Sequence, residues 1–126
     1  MRAEIVKSFR FEAAHALPNV PPQHKCSRIH GHAYRLDVHV EGPVDEKLGW
    51  VMDYADIRAA VAPVIDELDH RDLGQIPGLA NSTSENLARY VWDRVAPKLP
   101  GLKQIVVWES ESNRCVYRGC PSGKPA

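Results

Sequence analysis

The chain has 126 residues, enough to bury one core and too few to divide into two domains. Apolar residues make up 44% and charged residues 25%, a balance that excludes disorder and collagen-like repeats. Sixteen Lys and Arg stand against sixteen Asp and Glu, so no net field draws in nucleic acid or anionic lipid, and a partner must be recognised locally.

From Ala3 to His15 the apolar residues Ile5, Phe9, Phe11 and Ala13 alternate with Glu4, Ser8, Arg10 and Glu12, the period of a half-buried strand. Charges this dense at the start do not fit a secretory signal peptide, and no later run reaches the roughly 18 apolar residues of a membrane span. A cytoplasmic protein is expected. After a loop containing Pro18, Pro21 and Pro22, a second strand places Tyr34, Leu36, Val38 and Val40 on one face and Arg35, Asp37, His39 and Glu41 on the other. Turn signals at Gly42-Pro43 and Gly49 lead into Trp50-Val51-Met52, read as a short extended piece.

Asp53 fits a helix N-cap before Ile57, Val61, Val64, Ile65 and Leu68 at helical spacing, with Pro63 expected to kink that helix. Ser82-Thr83-Ser84-Glu85 reads as a capping box before a second amphipathic helix carrying Leu87, Val91, Trp92, Val95 and Leu99. Two short strands, Ile105 to Trp108 and Cys115 to Tyr117, follow around a turn at Ser112-Asn113. The order ββααββ predicts an α+β fold: one four-stranded antiparallel sheet with two helices on one face. Residues 1–119 form the single domain and 120–126 a loose tail.

The histidines carry the chemistry. His30-Gly31-His32 puts two imidazoles on the apolar side of a strand, and His15 ends the first strand in the same phase. If the strands pair antiparallel, His15, His30 and His32 converge. Three neutral imidazoles with an open fourth position make a catalytic zinc site. The competing reading, separately hydrogen-bonded histidines, is weakened by the convergence of the third. His39 on the polar face and His24 in the proline-rich loop fall outside the ligand set.

Cys26 lies four residues before His30, between Lys25 and Ser27-Arg28, where cations favour an ionised sulfur. It reads as a base or nucleophile, or as the fourth ligand of a closed structural zinc site; spacing leaves both open. Cys115 and Cys120 complete an odd count without a CxxC pair, which argues against a disulfide framework. Asp69-His70 at the end of the first helix reads either as a proton shuttle or as a charge-complemented helix end. Glu109 shares a face with Ile105 and Val107, which points it at a pocket where a nitrogen-rich ring would pair with it; a surface arginine is the alternative. Glu85 by itself reads as the capping-box acceptor.

Taken together, Phe11-Glu12-Ala13-Ala14-His15, Cys26-Ser27-Arg28-Ile29-His30-Gly31-His32, Gly49-Trp50-Val51-Met52-Asp53, Leu68-Asp69-His70, Ser82-Thr83-Ser84-Glu85-Asn86 and Trp108-Glu109-Ser110 resemble the 6-pyruvoyltetrahydropterin and 6-carboxytetrahydropterin synthase family, with its tunnelling fold. The likeness runs from Phe9 to Gly119. It implies that His15, His30 and His32 bind Zn2+, that Cys26 with Asp69 and His70 carries proton transfer, and that Glu109 anchors the pterin. It also implies that Thr83, Ser84 and Glu85 line the pterin pocket and that the chain assembles as a dimer of trimers with sites between subunits. The short gap from Cys26 to the HGH triplet resembles the 6-carboxytetrahydropterin branch of queuosine biosynthesis, a lyase acting on 7,8-dihydroneopterin triphosphate. Gly74 and Ser110 depart from the asparagine and threonine usual there. The rival readings are a 6-pyruvoyltetrahydropterin synthase, a zinc hydrolase, and a non-catalytic zinc or pterin binder.

Overall fold

The computed structural model describes residues 1–120. Two long strands, β1 (Arg2–His15) and β2 (His30–Pro43), pair antiparallel along their whole length. β4 (Leu102–Trp108) adds to β2, and β5 (Arg114–Tyr117) to β4, both antiparallel. These are the four strands that the alternation predicts. A fifth, β3 (Arg71–Asp72), runs parallel to β1 against Ala13 and Ala14, giving the order β3-β1-β2-β4-β5. Two residues are too short to display a period, which is why pattern reading misses β3.

Helices α1 (Tyr54–Leu68) and α2 (Ser84–Val95) cover one face of the sheet. Their buried residues Ile57, Val61, Leu87 and Val91 meet Phe11, Leu36, Val38, Ile105 and Val107 in the core. Asp53 caps α1 by accepting from the Ala55 N–H at 2.8 Å, as the sequence suggests. Pro63 sits on the exposed side, and α1 continues through it. Among the described residues no helix is long and apolar enough to cross a membrane.

Trp50-Val51-Met52 is a bend rather than an extended piece. The backbone there closes on itself: Gly49 N–H donates to Asp45 O, and Asp45 N–H to Trp50 O, at 2.7 and 2.8 Å. With those groups satisfied within the loop, no ladder forms. The tail read over 120–126 lies outside the described residues, apart from Cys120.

The connection into β4 depends on Gly101, at φ +87°. A Cβ there would meet the Glu41 carbonyl at 2.5 Å, while the Glu41 N–H donates to Gly101 O at 2.9 Å. The close approach coincides with the register shift at His39/Val40.

The sheet's other face is polar and centred on Asp37, which is only 5% exposed. Its carboxylate accepts from Ser8 Oγ (2.6 Å), Arg35 Nε (2.9 Å), Arg35 Nη2 (3.0 Å) and Trp108 Nε1 (2.9 Å). Burial pushes the Asp37 carboxyl up, but the bonds from Arg35, Ser8 and Trp108 outweigh it and hold it below its ordinary value. A depressed carboxyl stabilises the fold above its unfolded pKa, near 4, and loses that contribution as pH falls through the lower folded value. Asp37→Asn is expected to cost about 2–3 kcal/mol at pH 7 in urea unfolding and to flatten the acid limb of the stability profile below about pH 4.

Candidate metal centre and active site

The end of β1 meets the start of β2. His15 is the Cα partner of His30, and Ala13 of His32. The period of two turns all three imidazoles to the helix side, with ring centroids 4.6, 5.1 and 4.9 Å apart. One nitrogen from each lies within 4.8 Å of the others, the one group among the described residues able to hold a metal ion.

The hydrogen bonds say which nitrogens are available. His15 Nδ1–H donates to the Ser82 carbonyl at 2.8 Å, and His30 Nδ1–H to the Arg28 carbonyl at 2.7 Å. A carbonyl only accepts, so Nδ1 carries a proton in both rings and Nε2 is the nitrogen left to ligate a metal. His15 Nε2 and His32 Nε2 are buried without a hydrogen-bond partner, an unfavourable state that a metal relieves. The His32 imidazole is held below its usual value by burial and by the neighbouring His15 and His30, against the pull of Glu109. It is therefore neutral near pH 7, the form that ligates. These residues fit a metal.

Glu109 follows β4 beside this cluster. Its Oε1 stands 3.5 Å from His32 Nε2, and its Oε2 accepts from Ser84 Oγ at 2.8 Å. Glu109 thus faces inward, as its phase with Ile105 and Val107 predicts, and its local partner is a serine, not the surface arginine considered as the alternative. Thr83 caps α2 by accepting from Asn86 N–H at 3.2 Å. Glu85 does not close a capping box: with Thr83 as N-cap the third helical residue is Asn86, whose Nδ2 donates to Asn81 O. Glu85 is exposed in the first turn.

Cys26 is half-buried in a single 3-10 turn, Lys25–Ser27. Its N–H donates to His24 Nδ1 at 3.0 Å and its carbonyl accepts from Leu17 N–H at 2.7 Å. The metal-capable group contains the three histidines and not Cys26, so the thiol lies outside the ligand set in this geometry. Cys115 is half-buried in β5, where burial pushes its thiol up.

Asp69 and His70 stand at the outer edge of β1. Asp69 Oδ1 accepts from the Glu12 N–H at 2.9 Å and lies 3.0 Å from His70 Nδ1. The Glu12 N–H first, and then the imidazole, hold the Asp69 carboxyl below its ordinary value; it is ionised at neutral pH and fixes the ring. His70 N–H donates to the Glu12 carbonyl at 2.6 Å. His70 Nε2 is 3.8 Å from Glu12 Oε2, and both line an open cleft of about 540 Å³. His32 of the histidine cluster lines the same cleft.

His70 is the one described non-glycine residue at positive φ, +59°. For an L side chain that conformation costs about 1 kcal/mol, and such strain gathers at functional positions. His70→Gly is expected to leave stability unchanged or raise it by up to about 1 kcal/mol in thermal unfolding while removing the imidazole from the cleft.

Pattern reading missed the supporting partners. Ser82 O and Arg28 O act through backbone carbonyls, which side-chain identity does not encode. His24 was set aside as a loop residue, yet it holds the Cys26 turn. Tyr34, 1% exposed with its hydroxyl unpartnered, sits 5.5 Å from His32 between ring centroids; burial, then Glu109, pushes its phenol up, so it stays protonated.

Residues 4–120 match the family model described as 6-pyruvoyl tetrahydropterin synthase. The chain is 38% identical over 112 residues to a dihydroneopterin monophosphate aldolase of Pyrococcus furiosus, covering 86% of this chain and 91% of the relative. It is 34% identical over 119 residues to a 6-carboxy-5,6,7,8-tetrahydropterin synthase of Synechocystis, covering 90% and 91%. The structure of Caenorhabditis elegans 6-pyruvoyl tetrahydropterin synthase superimposes with a TM-score of 0.88 at 27% identity, over 95% of this chain and 97% of that one. With the three inward histidines and Glu109 set on that fold, the chain belongs to the 6-pyruvoyl tetrahydropterin synthase family.

Proposed function

We propose that this chain is a cytoplasmic, zinc-dependent 6-carboxytetrahydropterin synthase that converts 7,8-dihydroneopterin triphosphate to 6-carboxytetrahydropterin, acetaldehyde and triphosphate, a step of queuosine formation. The observation that carries the reading is the tri-histidine cluster with the Glu109 carboxylate 3.5 Å from His32: a metal-capable group beside an acceptor for the N–H edge of a pterin. The short Cys26-to-His30 spacing favours the carboxy product over the pyruvoyl one, and the Synechocystis relative is named for the carboxy product.

His15, His30 and His32 would hold Zn2+, which when bound supplies Lewis acidity toward the hydroxyls of the substrate side chain. Glu109, pre-positioned by Ser84, accepts from the ring N–H groups and fixes the pterin. Thr83 and Glu85 flank that position at the start of α2. Cys26 takes a proton from the side chain, and His70, held by Asp69, exchanges the second. The electrons lost in oxidising the side chain pass to the ring C=N bond, which brings the ring to the tetrahydropterin level, and to the phosphate-bearing carbon, which becomes a methyl group as triphosphate leaves; carbon–carbon cleavage releases the two distal carbons as acetaldehyde. The retained carbon becomes the ring carboxylate, its second oxygen supplied by water.

A homo-oligomer, a dimer of trimers, follows from the same reading. Among the described residues the outer edge of β1 from Arg2 to Phe11 and that of β5 are unpaired, and open edges accept strands from further copies.

The test offers zinc-loaded protein dihydroneopterin triphosphate and, separately, dihydroneopterin monophosphate, with products identified by mass spectrometry. Turnover of the triphosphate to the carboxylated pterin is expected. Exclusive turnover of the monophosphate would replace the reading with the chemistry named for the Pyrococcus relative.

A further inference from the structure

The polar face of the sheet carries a second constellation that the metal centre does not use. Arg10 on β1 is the direct cross-strand partner of Arg35 on β2. Arg35 is the partner of Trp108 on β4, and Trp108 of Arg114 on β5. Three guanidinium groups and one indole therefore lie in a single row across four strands. Like charges facing each other across a strand pair destabilise it, so the row is unfavourable unless something compensates it.

Compensation within the chain is partial. Buried Asp37 takes the fork of Arg35 through Nε and Nη2 and the indole N–H of Trp108, which fixes both groups. The guanidinium carbons of Arg35 and Arg114 lie 5.0 and 4.7 Å from the Trp108 ring centroid. Among the described residues neither Arg10 nor Arg114 has a carboxylate at ion-pair distance. Arg10, Arg35 and Trp108 line a recess of about 300 Å³, with Ala33, Ser110 and Glu111 completing its wall.

We propose that this row is a binding site for a phosphate polyanion. Guanidinium edges match phosphate oxygens in paired hydrogen bonds. Arg35, already held by Asp37, loses little freedom on binding. Stacking on Trp108 uses the planes of Arg35 and Arg114 and leaves N–H edges for oxygen. The site goes beyond the pterin reading, although where that reading holds triphosphate is both the substrate's tail and the released product. A neighbouring cavity is lined by Arg10 together with Glu12 and Asp69.

The test titrates the full chain with inorganic triphosphate by calorimetry at low salt. Arg10→Gln and Arg114→Gln are each expected to weaken binding by about tenfold or more; Arg58→Gln, an exposed change on α1, is not. Triphosphate is expected to raise the Tm of the wild type and not of Arg10→Gln. Without triphosphate, Arg10→Gln is expected to be at least as stable as wild type, because the like-charge contact is gone; a merely structural arginine would give the reverse. A raised KM for dihydroneopterin triphosphate in Arg10→Gln at unchanged metal content assigns the site to the substrate's tail. Lost triphosphate binding at unchanged KM assigns it to free polyphosphate. No binding by the wild type, or binding as tight as wild type by both arginine variants, overturns the proposal. Its failure leaves product formation by the metal-loaded protein intact, whereas failure of the pterin reading leaves the calorimetry intact.

Discussion

His32→Ala is expected to purify without bound metal and with turnover reduced by about three orders of magnitude or more. His15 and His30 already point their Nε2 atoms inward because Ser82 O and Arg28 O accept from their Nδ1–H groups, so removing His32 leaves two ligands where a catalytic centre uses three. The metal-free fold should survive. Alanine removes a buried nitrogen that has no hydrogen-bond partner, which offsets part of the lost packing. A packed core histidine would behave oppositely, with metal content unchanged and stability lowered. Metal analysis together with thermal unfolding of the same preparation separates the two.

Cys26→Ala is expected to keep its metal and its fold while turnover falls by about 10²- to 10⁴-fold, the contribution of a positioned general base. The thiol lies outside the metal-capable group on a 3-10 turn held through the backbone groups of Cys26, whose N–H donates to His24 Nδ1 and whose carbonyl accepts from Leu17 N–H. The substitution therefore leaves the turn's hydrogen bonds in place. Parallel loss of metal and activity would mean that Cys26 closes a structural site.

The metal cluster was legible because it follows from two periodicities. Alternation put His15, His30 and His32 in phase with Phe11 and Tyr34, and antiparallel pairing of adjacent strands brought one strand's end to the other's start. Glu109 was legible by the same phase argument. Asp69-His70 could be seen as a motif but not located, because its position depends on backbone bonds to Glu12 and on a positive φ that histidine rarely adopts. β3 exists only as a consequence of that attachment. The capping box failed by one residue: Ser82 is buried against His15, so Thr83 becomes the cap and Asn86 takes the place assigned to Glu85. The Arg10–Arg35–Trp108–Arg114 row was hidden for a different reason, since its members come from four strands whose register no local pattern fixes.

The most direct measurement of the central claim is the stoichiometry of aldehyde release. Protein loaded with one zinc per chain is incubated with dihydroneopterin triphosphate, and acetaldehyde, triphosphate and pterin products are quantified together, beside a chelator-treated sample. The account predicts one acetaldehyde and one triphosphate for each 6-carboxytetrahydropterin formed, with all three absent after chelation and restored by zinc. Triphosphate release with a pyruvoyl pterin and no acetaldehyde, or undiminished turnover in the metal-free protein, would contradict it.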